Sequence, residues 1–186
     1  MASLRLQEGA GARALEFAIL TAARTGEVIG ATWGEIDIEK KIWIIPAERM
    51  KAGREHRVPL SGAAMAVVHS MAAIRQGQQL FPGAKAGRPL SNMALLMALR
   101  RMKRADVTAH GFRSTFRDWC AERTAYPTEV AEMALAHAVG DKVEAAYRRG
   151  DLFEKRVRLM EDWAEFCGIV APTVAGTNVF AIQTRA

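Results

Sequence analysis

Cysteine is scarce in this chain: Cys120 and Cys167 are the only two, too few and too widely spaced for a disulfide scaffold. Both fall in predicted helices beside aromatic residues, which suits core packing. No Cys-x-x-Cys or His-Glu-x-x-His spacing points to a metal centre. The Gly-x-x-x-x-Gly-Lys-Ser/Thr pattern is missing too, and with it the case for a P-loop ATPase. No apolar run is long enough for a bilayer-crossing helix, so no membrane partner is expected. The first twenty residues have no secretory pattern, and the expected location is the cytoplasm. Clustered carboxylates are absent, which disfavours a two-metal nuclease. Tyrosine is nearly absent: Tyr126 and Tyr147 are the only two in 186 residues.

What is present is an ordinary apolar content of 50% and a surplus of cations, 26 Lys and Arg against 20 Asp and Glu, giving +6. This balance favours an anionic partner without specifying one. Its distribution is more informative. "RMKAGREHR" contains Arg49, Lys51, Arg54 and Arg57, and "RRMKR" contains Arg100, Arg101, Lys103 and Arg104. A third group follows Tyr147, beginning with Arg148. Each run is either a solvated surface or a set of phosphate contacts.

Periodicity predicts an α+β domain over residues 1–168, mainly helical, with a small three-stranded antiparallel sheet near the N-terminus. A helix is expected over 11–24, with Arg24 at its C-terminal end on an apolar face, then a short helical turn in "TGEVIGATW". "EIDIEKKIWIIP" reads as a hairpin and "HRVPL" as a third strand, with Pro59 placing that strand's end at an edge. Ser61 is expected to cap a helix with the stripe Ala64, Val67, Val68, Met71 and Ile74. Ser91 is expected to cap the next, and Thr108 another running to about Glu122. Pro127 opens a shorter helix ending near His137. Asp141 with Glu144, and Asp151 with Glu154, have capping-box spacing. Residues 169–186 form a tail without helical period, either flexible or docking in cis or in trans.

Several polar residues admit two readings. In "AHGFRSTFRDWC", Phe112, Phe116 and Trp119 share one helix side, while His110, Arg113 and Arg117 gather on the other. That second side is a solvated basic face or a phosphate cradle at a helix N-terminus. Arg24, amid apolar neighbours, is held locally by Glu27 or reaches an anion with Glu27 bracing it. Lys51 is a surface lysine or a proton donor held over a groove. His137 is expected to face inward, as a core histidine or a site residue. Tyr147 is a packed aromatic or a nucleophile.

Taken together, Arg24, Lys51, the "HGFR" pair His110 and Arg113, His137 and Tyr147 resemble the catalytic set of tyrosine recombinases. The closer likeness is to P4-like integrases of prophages and genomic islands. It is carried by "ARTGEVIGATWGEIDIEKKIWIIPAERMKAGREHRVPLS", "TAHGFRSTFRDW" and "LAHAVGDKVEAAYRRGDLFEKRVRLMEDWAEF", from about residue 10 to 168. The resemblance implies that Arg24 and Arg113 bind the scissile phosphate, with Glu27 beside Arg24. It implies Lys51 as general acid, His110 as proton acceptor, His137 as a phosphate contact and Tyr147 as nucleophile. No cofactor or metal is implied. Arg49, Arg54, Arg57, Arg100, Arg101, Lys103, Arg104, Arg117 and Arg148 become candidate DNA contacts. The implied partner is a double-stranded attachment site in a bacterial host, bound by a tetramer whose C-terminal segments are exchanged. Many members read Leu-Gly-His where this chain has "LAH", and Ala136 is expected to remain in a helix. Members also carry arm-binding and core-binding domains ahead of this one, so the chain is expected to be a catalytic domain without them. The competing function is a DNA-binding module that retains the fold without the chemistry.

Overall fold

The computed structural model describes residues 1–85, 87–137 and 150–169. Among them are eight α-helices and one antiparallel sheet of order β1-β2-β3. In chain order these are α1 (Ala2–Arg5), α2 (Ala10–Thr21), α3 (Thr25–Ile29), β1 (Ile36–Asp37), β2 (Ile42–Ile45) and β3 (His56–Pro59). There follow α4 (Gly62–Ala72), α5 (Ala94–Arg101), α6 (Gly111–Arg123), α7 (Thr128–Ala134) and α8 (Phe153–Gly168). The chain is thus a mainly helical α+β structure with its sheet near the N-terminus. No described helix is long and apolar enough to cross a membrane.

Helix α2 occupies the centre because its sequence is apolar on nearly every side. Ala12, Ala14, Leu15, Phe17, Ile19 and Leu20 are all buried, and α1, α3, α4, α5 and α8 pack around them. Phe17 meets Trp43 of β2 at 5.3 Å between ring centroids and Phe81 at 5.5 Å, which joins the sheet and the long connection to the core. The one charged residue buried in this helix, Glu16, is paired with Arg5 and Arg13. On the other side Trp163 of α8 sits between Phe116 and Trp119 of α6, at centroid distances of 5.3 and 5.2 Å. Its indole Nε1–H donates to the Ile19 carbonyl at 2.8 Å, so the C-terminal helix is fastened to the last turn of α2.

The sheet follows the predicted hairpin and third strand. Trp43 pairs with Ile36 on one side and Val58 on the other, and Pro59 lies at the end of edge strand β3 opposite Ile42. An edge position suits a residue that cannot donate to a ladder. Ser61 caps α4 by accepting from the Ala64 amide at 3.3 Å. Thr108 accepts from the Gly111 amide at 3.0 Å, at the start of α6. Pro127 stands immediately before α7.

Several expectations are corrected. Helix α2 stops at Thr21, and Arg24 instead immediately precedes α3. Ile74 lies beyond α4 and is 52% exposed. Ser91 does not cap α5, which begins at Ala94 behind Met93; its backbone carbonyl, not its hydroxyl, accepts from the Ala94 amide. Asp151 accepts from the Phe153 amide at 3.2 Å and from Arg156 at 2.6 Å, so its carboxylate serves an arginine in place of the expected box with Glu154. The pair Asp141 and Glu144 lies outside the described residues, as do residues 170–186 of the tail.

The most informative departure is at Ala136. Helix α7 ends at Ala134, short of His137, and closes with a Schellman arrangement: the Ala136 amide donates to the Met133 carbonyl and the His137 amide to the Glu132 carbonyl. The residue in the left-handed position is Ala136, at φ 50°. Glycine is favoured there because a Cβ is sterically opposed. Ala136→Gly is therefore expected to raise stability by about 0.5–1 kcal/mol, after allowing for the added freedom of the unfolded chain. In a thermal melt this corresponds to a rise of roughly 1–4 °C for a chain of this size. An unchanged or lowered midpoint would contradict the left-handed assignment.

Candidate active site

Two helix ends face one another and hold two arginines between them. The first is the C-terminus of α2, where Ala22 turns the chain in the left-handed region at φ 51° and frees its carbonyl. The second is the C-terminus of α7, where the Schellman closure leaves the Leu135 and Ala136 carbonyls available. Such carbonyls are the negative ends of helix dipoles and need donors.

Arg113, on the first turn of α6, donates Nη1 to the Ala22 carbonyl and Nη2 to the Leu135 carbonyl at 2.7 Å. It is only 5% exposed. Arg24 donates Nη1 to Glu27 Oε1 at 2.7 Å and Nη2 to the Ala136 carbonyl at 3.3 Å. Glu27 reaches back with its other oxygen to the Arg24 amide at 2.7 Å, satisfying a donor at the start of α3. The guanidinium groups influence one another: burial pushes Arg113 down to about 10, and the charge of Arg24 adds to the effect while Glu27 opposes it. The carbonyls hold Arg113 in place but leave its charge, so among the described residues Glu27 is set against two cations. An arrangement of this kind accommodates an anion with two or three exposed oxygens.

His137 stands at the edge of this pair. Its Nε2 is 3.4 Å from Arg113 Nη2 and its Nδ1 is 2.7 Å from Glu132 Oε2. It is exposed, because the helix that would have turned it inward has ended. His110 is also exposed, one turn ahead of Arg113 at the N-terminus of α6, and its carbonyl accepts the Arg113 amide at 3.0 Å. Lys51 is exposed in the turn between β2 and β3, above buried Met50, with Gly53 at φ 62° completing the turn. Hydrogen bonds thus pair Arg24 with Glu27 and Arg113 with His137, and both arginines are tied to adjacent carbonyls at the end of α7; among the described residues Lys51 and His110 have no side-chain bond to these four. Tyr147 and Arg148 lie outside the described residues.

The basic candidates divide by partner. Arg49 is spent internally: it pairs with Glu35 and donates to the Glu27 carbonyl. Gly30 makes room for it, since a Cβ there would lie 2.8 Å from Arg49 Nη2. Arg57 stacks over Phe153 at 4.1 Å and meets Asp151 at 3.4 Å. Arg117 pairs with Glu132 at 2.7 Å and Arg104 with Asp106 at 2.8 Å. Arg54, Arg100, Arg101 and Lys103 are exposed.

Two further residues belong to the same neighbourhood: Arg156, which the sequence offers only as part of a basic run, and His56, which it does not single out. Arg156 is 1% exposed and fixes the start of α8 to β3, donating to the Asp151 carbonyl and carboxylate and to the Arg57 carbonyl. His56, on β3, is pushed down to about 4, first by burial and then by the charges of Arg156 and Arg24; Glu27 and the Ala134 carbonyl oppose the shift. No pattern in the sequence marks His56, since β3 grades from half-buried to buried along its length without alternating. Cys120 and Cys167 are both pushed up to about 12 by burial, as packed thiols are. No group of three or more His, Cys, Asp and Glu side chains is disposed to hold a metal ion among the described residues.

Comparison with known proteins gives the same region a relationship. The profile described as the phage integrase family matches residues 7–152. Prophage integrase IntA of Escherichia coli K12 is 37% identical over 150 residues, which is 79% of this chain and 36% of that protein. Prophage integrase IntZ of the same strain is 36% identical, over 82% of this chain and 38% of its own length. The integrase of Enterobacteria phage P4 is 32% identical, over 82% of this chain and 39% of its own. The chain thus spans less than two-fifths of the length of these relatives.

A neutral, half-buried His56 links stability to pH. Its folded pKa, about 4, lies below the 6.5 of the unfolded chain, so the folded state binds fewer protons over that window. The contribution is complete above about pH 6.5 and is lost as pH falls toward 4. Urea unfolding at about pH 7 and pH 5 is expected to differ by roughly 2 kcal/mol from this group. His56→Gln should remove that part of the difference; an unchanged pH dependence in the variant would contradict it.

Proposed function

The chain belongs to the phage integrase family, and from that premise we propose that it is the catalytic portion of a tyrosine-type, site-specific DNA recombinase. The observation that carries this reading is the convergence of Arg24 and Arg113 on the carbonyls at the end of α7, with Glu27 the carboxylate that bears on both among the described residues. The ligand is a scissile phosphodiester of a double-stranded attachment site, and the biological setting is integration and excision of a prophage or genomic island in the bacterial cytoplasm.

Phosphoryl transfer needs charge neutralisation at the nonbridging oxygens, a nucleophile and a proton for the leaving oxygen. Arg24 and Arg113 meet the nonbridging oxygens, where negative charge grows in the transition state. Their rigid anchoring means little reorganisation is needed when the phosphate arrives. Tyr147 attacks phosphorus, its phenolic proton passing to His110, and the bond to the 5′-oxygen breaks as Lys51 delivers a proton. The product is a 3′-phosphotyrosyl link and a free 5′-hydroxyl. Rejoining reverses these transfers, with an incoming 5′-hydroxyl displacing Tyr147, so the phosphodiester is conserved without an energy source. Tyrosine's ordinary pKa near 10 makes spontaneous ionisation rare, and cations brought beside a phenol favour the developing phenolate. His137 contacts a phosphate oxygen. Arg54, Arg100, Arg101 and Lys103 supply phosphate contacts along the duplex, and the active assembly forms by self-association on DNA, with C-terminal segments available for exchange.

The test is a nicked duplex carrying the core of the attachment site, incubated with the chain and resolved in denaturant. A covalent protein–DNA species is expected, abolished in Tyr147→Phe. Arg24→Ala and Arg113→Ala should each slow its appearance by about 10²–10³-fold. Binding should weaken steeply with added salt, as phosphate contacts require. Salt-sensitive binding without any covalent species would favour the non-catalytic DNA-binding module, and a species that persists in Tyr147→Phe would remove that tyrosine from the mechanism.

A further inference from the structure

We infer that Glu132 is a positioning residue of this site: it fixes the ring orientation of His137 and selects Nε2 as the imidazole atom presented to the phosphate, with Arg117 as its counter-ion. The inference rests on the reading of the arginine pair as a phosphate site. Glu132 lies on α7, five residues before His137, and has no counterpart among the residues picked out by the recombinase resemblance.

The hydrogen-bond partners determine the tautomer. Glu132 Oε2 is 2.7 Å from His137 Nδ1, and a carboxylate can only accept, so Nδ1 carries a hydrogen. Nε2 is 3.4 Å from Arg113 Nη2, which can only donate, so a neutral ring turns its lone pair toward Arg113. Flipping the ring would exchange Nδ1 for a carbon and forfeit the Glu132 bond. The carboxylate is itself held: Oε1 accepts Arg117 Nε at 2.7 Å. Burial tends to raise Glu132, but the hydrogen bonds from Arg117 and His137 outweigh it and keep the group below its ordinary value. A second tie is built into the backbone, where the His137 amide donates to the Glu132 carbonyl at 2.9 Å. One residue therefore fixes both the chain and the ring of His137.

This is more than a surface ion pair. The side chains of His137 and Arg117 are 40% and 59% exposed, so the two contacts add little to folding stability. What they do supply is direction. Nε2 accepts from Arg113 while the ring is neutral and becomes a donor toward a nonbridging oxygen when it takes up a proton. In both states Nδ1–H remains on Glu132, and the ring need not turn between them.

Two measurements on the full chain test this. With nitrogen-15-labelled histidine at about pH 8, where a free imidazole is neutral, His137 should show a protonated Nδ1 and a bare Nε2. Glu132→Ala should give a mixture of the two tautomers. In cleavage of the nicked duplex, Glu132→Ala should lower the rate at saturating DNA by about 10–100-fold, with DNA affinity changed less than about twofold. Glu132→Gln should recover part of that loss, because its amide oxygen still accepts from Nδ1. A purely structural role would lower the melting temperature and leave tautomer and saturated rate unchanged. The inference is overturned if wild-type His137 carries its proton on Nε2, or if both variants cleave at the wild-type rate. Should the alanine variant fail to fold, the spectrum and rate of Glu132→Gln decide alone. Absence of the wild-type covalent species would count against the phosphoryl-transfer reading, while the nitrogen spectrum would still decide the role of Glu132 in orienting the ring.

Discussion

Two guanidinium groups gripped by the open carbonyls of two helix ends are the arrangement around which this molecule is organised. A carbonyl can orient a guanidinium through a directional bond without cancelling its charge, whereas a carboxylate does both. Here the carbonyls of Ala22, Leu135 and Ala136 do most of the orienting, and among the described residues Glu27 is the carboxylate that subtracts charge. The result is a rigid, electropositive place with unused capacity for an anion. Its geometry depends on α2, α6 and α7 being correctly set against one another. The aromatic packing of Phe116, Trp119 and Trp163 sets α6 against α8, and the Trp163 bond to the Ile19 carbonyl sets α8 against the last turn of α2. The apolar core therefore acts on the site through the positions of helix ends.

Much of this was legible in the sequence. The apolar identity of α2, the alternation in "KIWIIP" and the strong turn signals suffice to order the elements, since each reflects a local preference that packing reinforces. Arg24 could be singled out because a charged group on an apolar face requires a special environment, and Arg113 because it shares a basic helix face with His110 near a helix N-terminus. What the sequence concealed was where helices stop. Periodicity carries α7 on to His137 and turns that histidine inward, while two backbone hydrogen bonds and a left-handed Ala136 end the helix earlier and turn it out. Alanine gives no warning of such a stop, as glycine would have. Ser91 shows the reverse: an apt capping residue by type, left unused because the backbone turns once more before α5 begins.

Arginine was the hardest residue type to read. Every arginine counts equally toward the net charge of +6, yet they do unlike work. Arg49 and Arg156 are internal fasteners, each spanning two segments of backbone. Arg57 and Arg117 are held by neighbouring carboxylates, and Arg54, Arg100 and Arg101 project into solvent. A run such as "RMKAGREHR" is therefore three things at once: a fastener at Arg49, an exposed turn at Lys51 and Arg54, and a strand whose His56 and Arg57 approach the site and α8. Only the paths of the strands and the positions of the acids separate these roles.

Gly30 carries a consequence out of proportion to its size. It has no functional group, and at the end of a five-residue helix it would pass for a simple spacer. Yet the tip of Arg49 occupies the space where a methyl would be, and that tip holds the carbonyl of Glu27. Glu27 in turn braces Arg24. Drift at position 30 is thus coupled to an arginine that it never touches, through a fastener with little freedom to retreat. Among relatives, tolerance at this position should follow whatever side chain occupies the place of Arg49, so that the two positions are inherited as a pair.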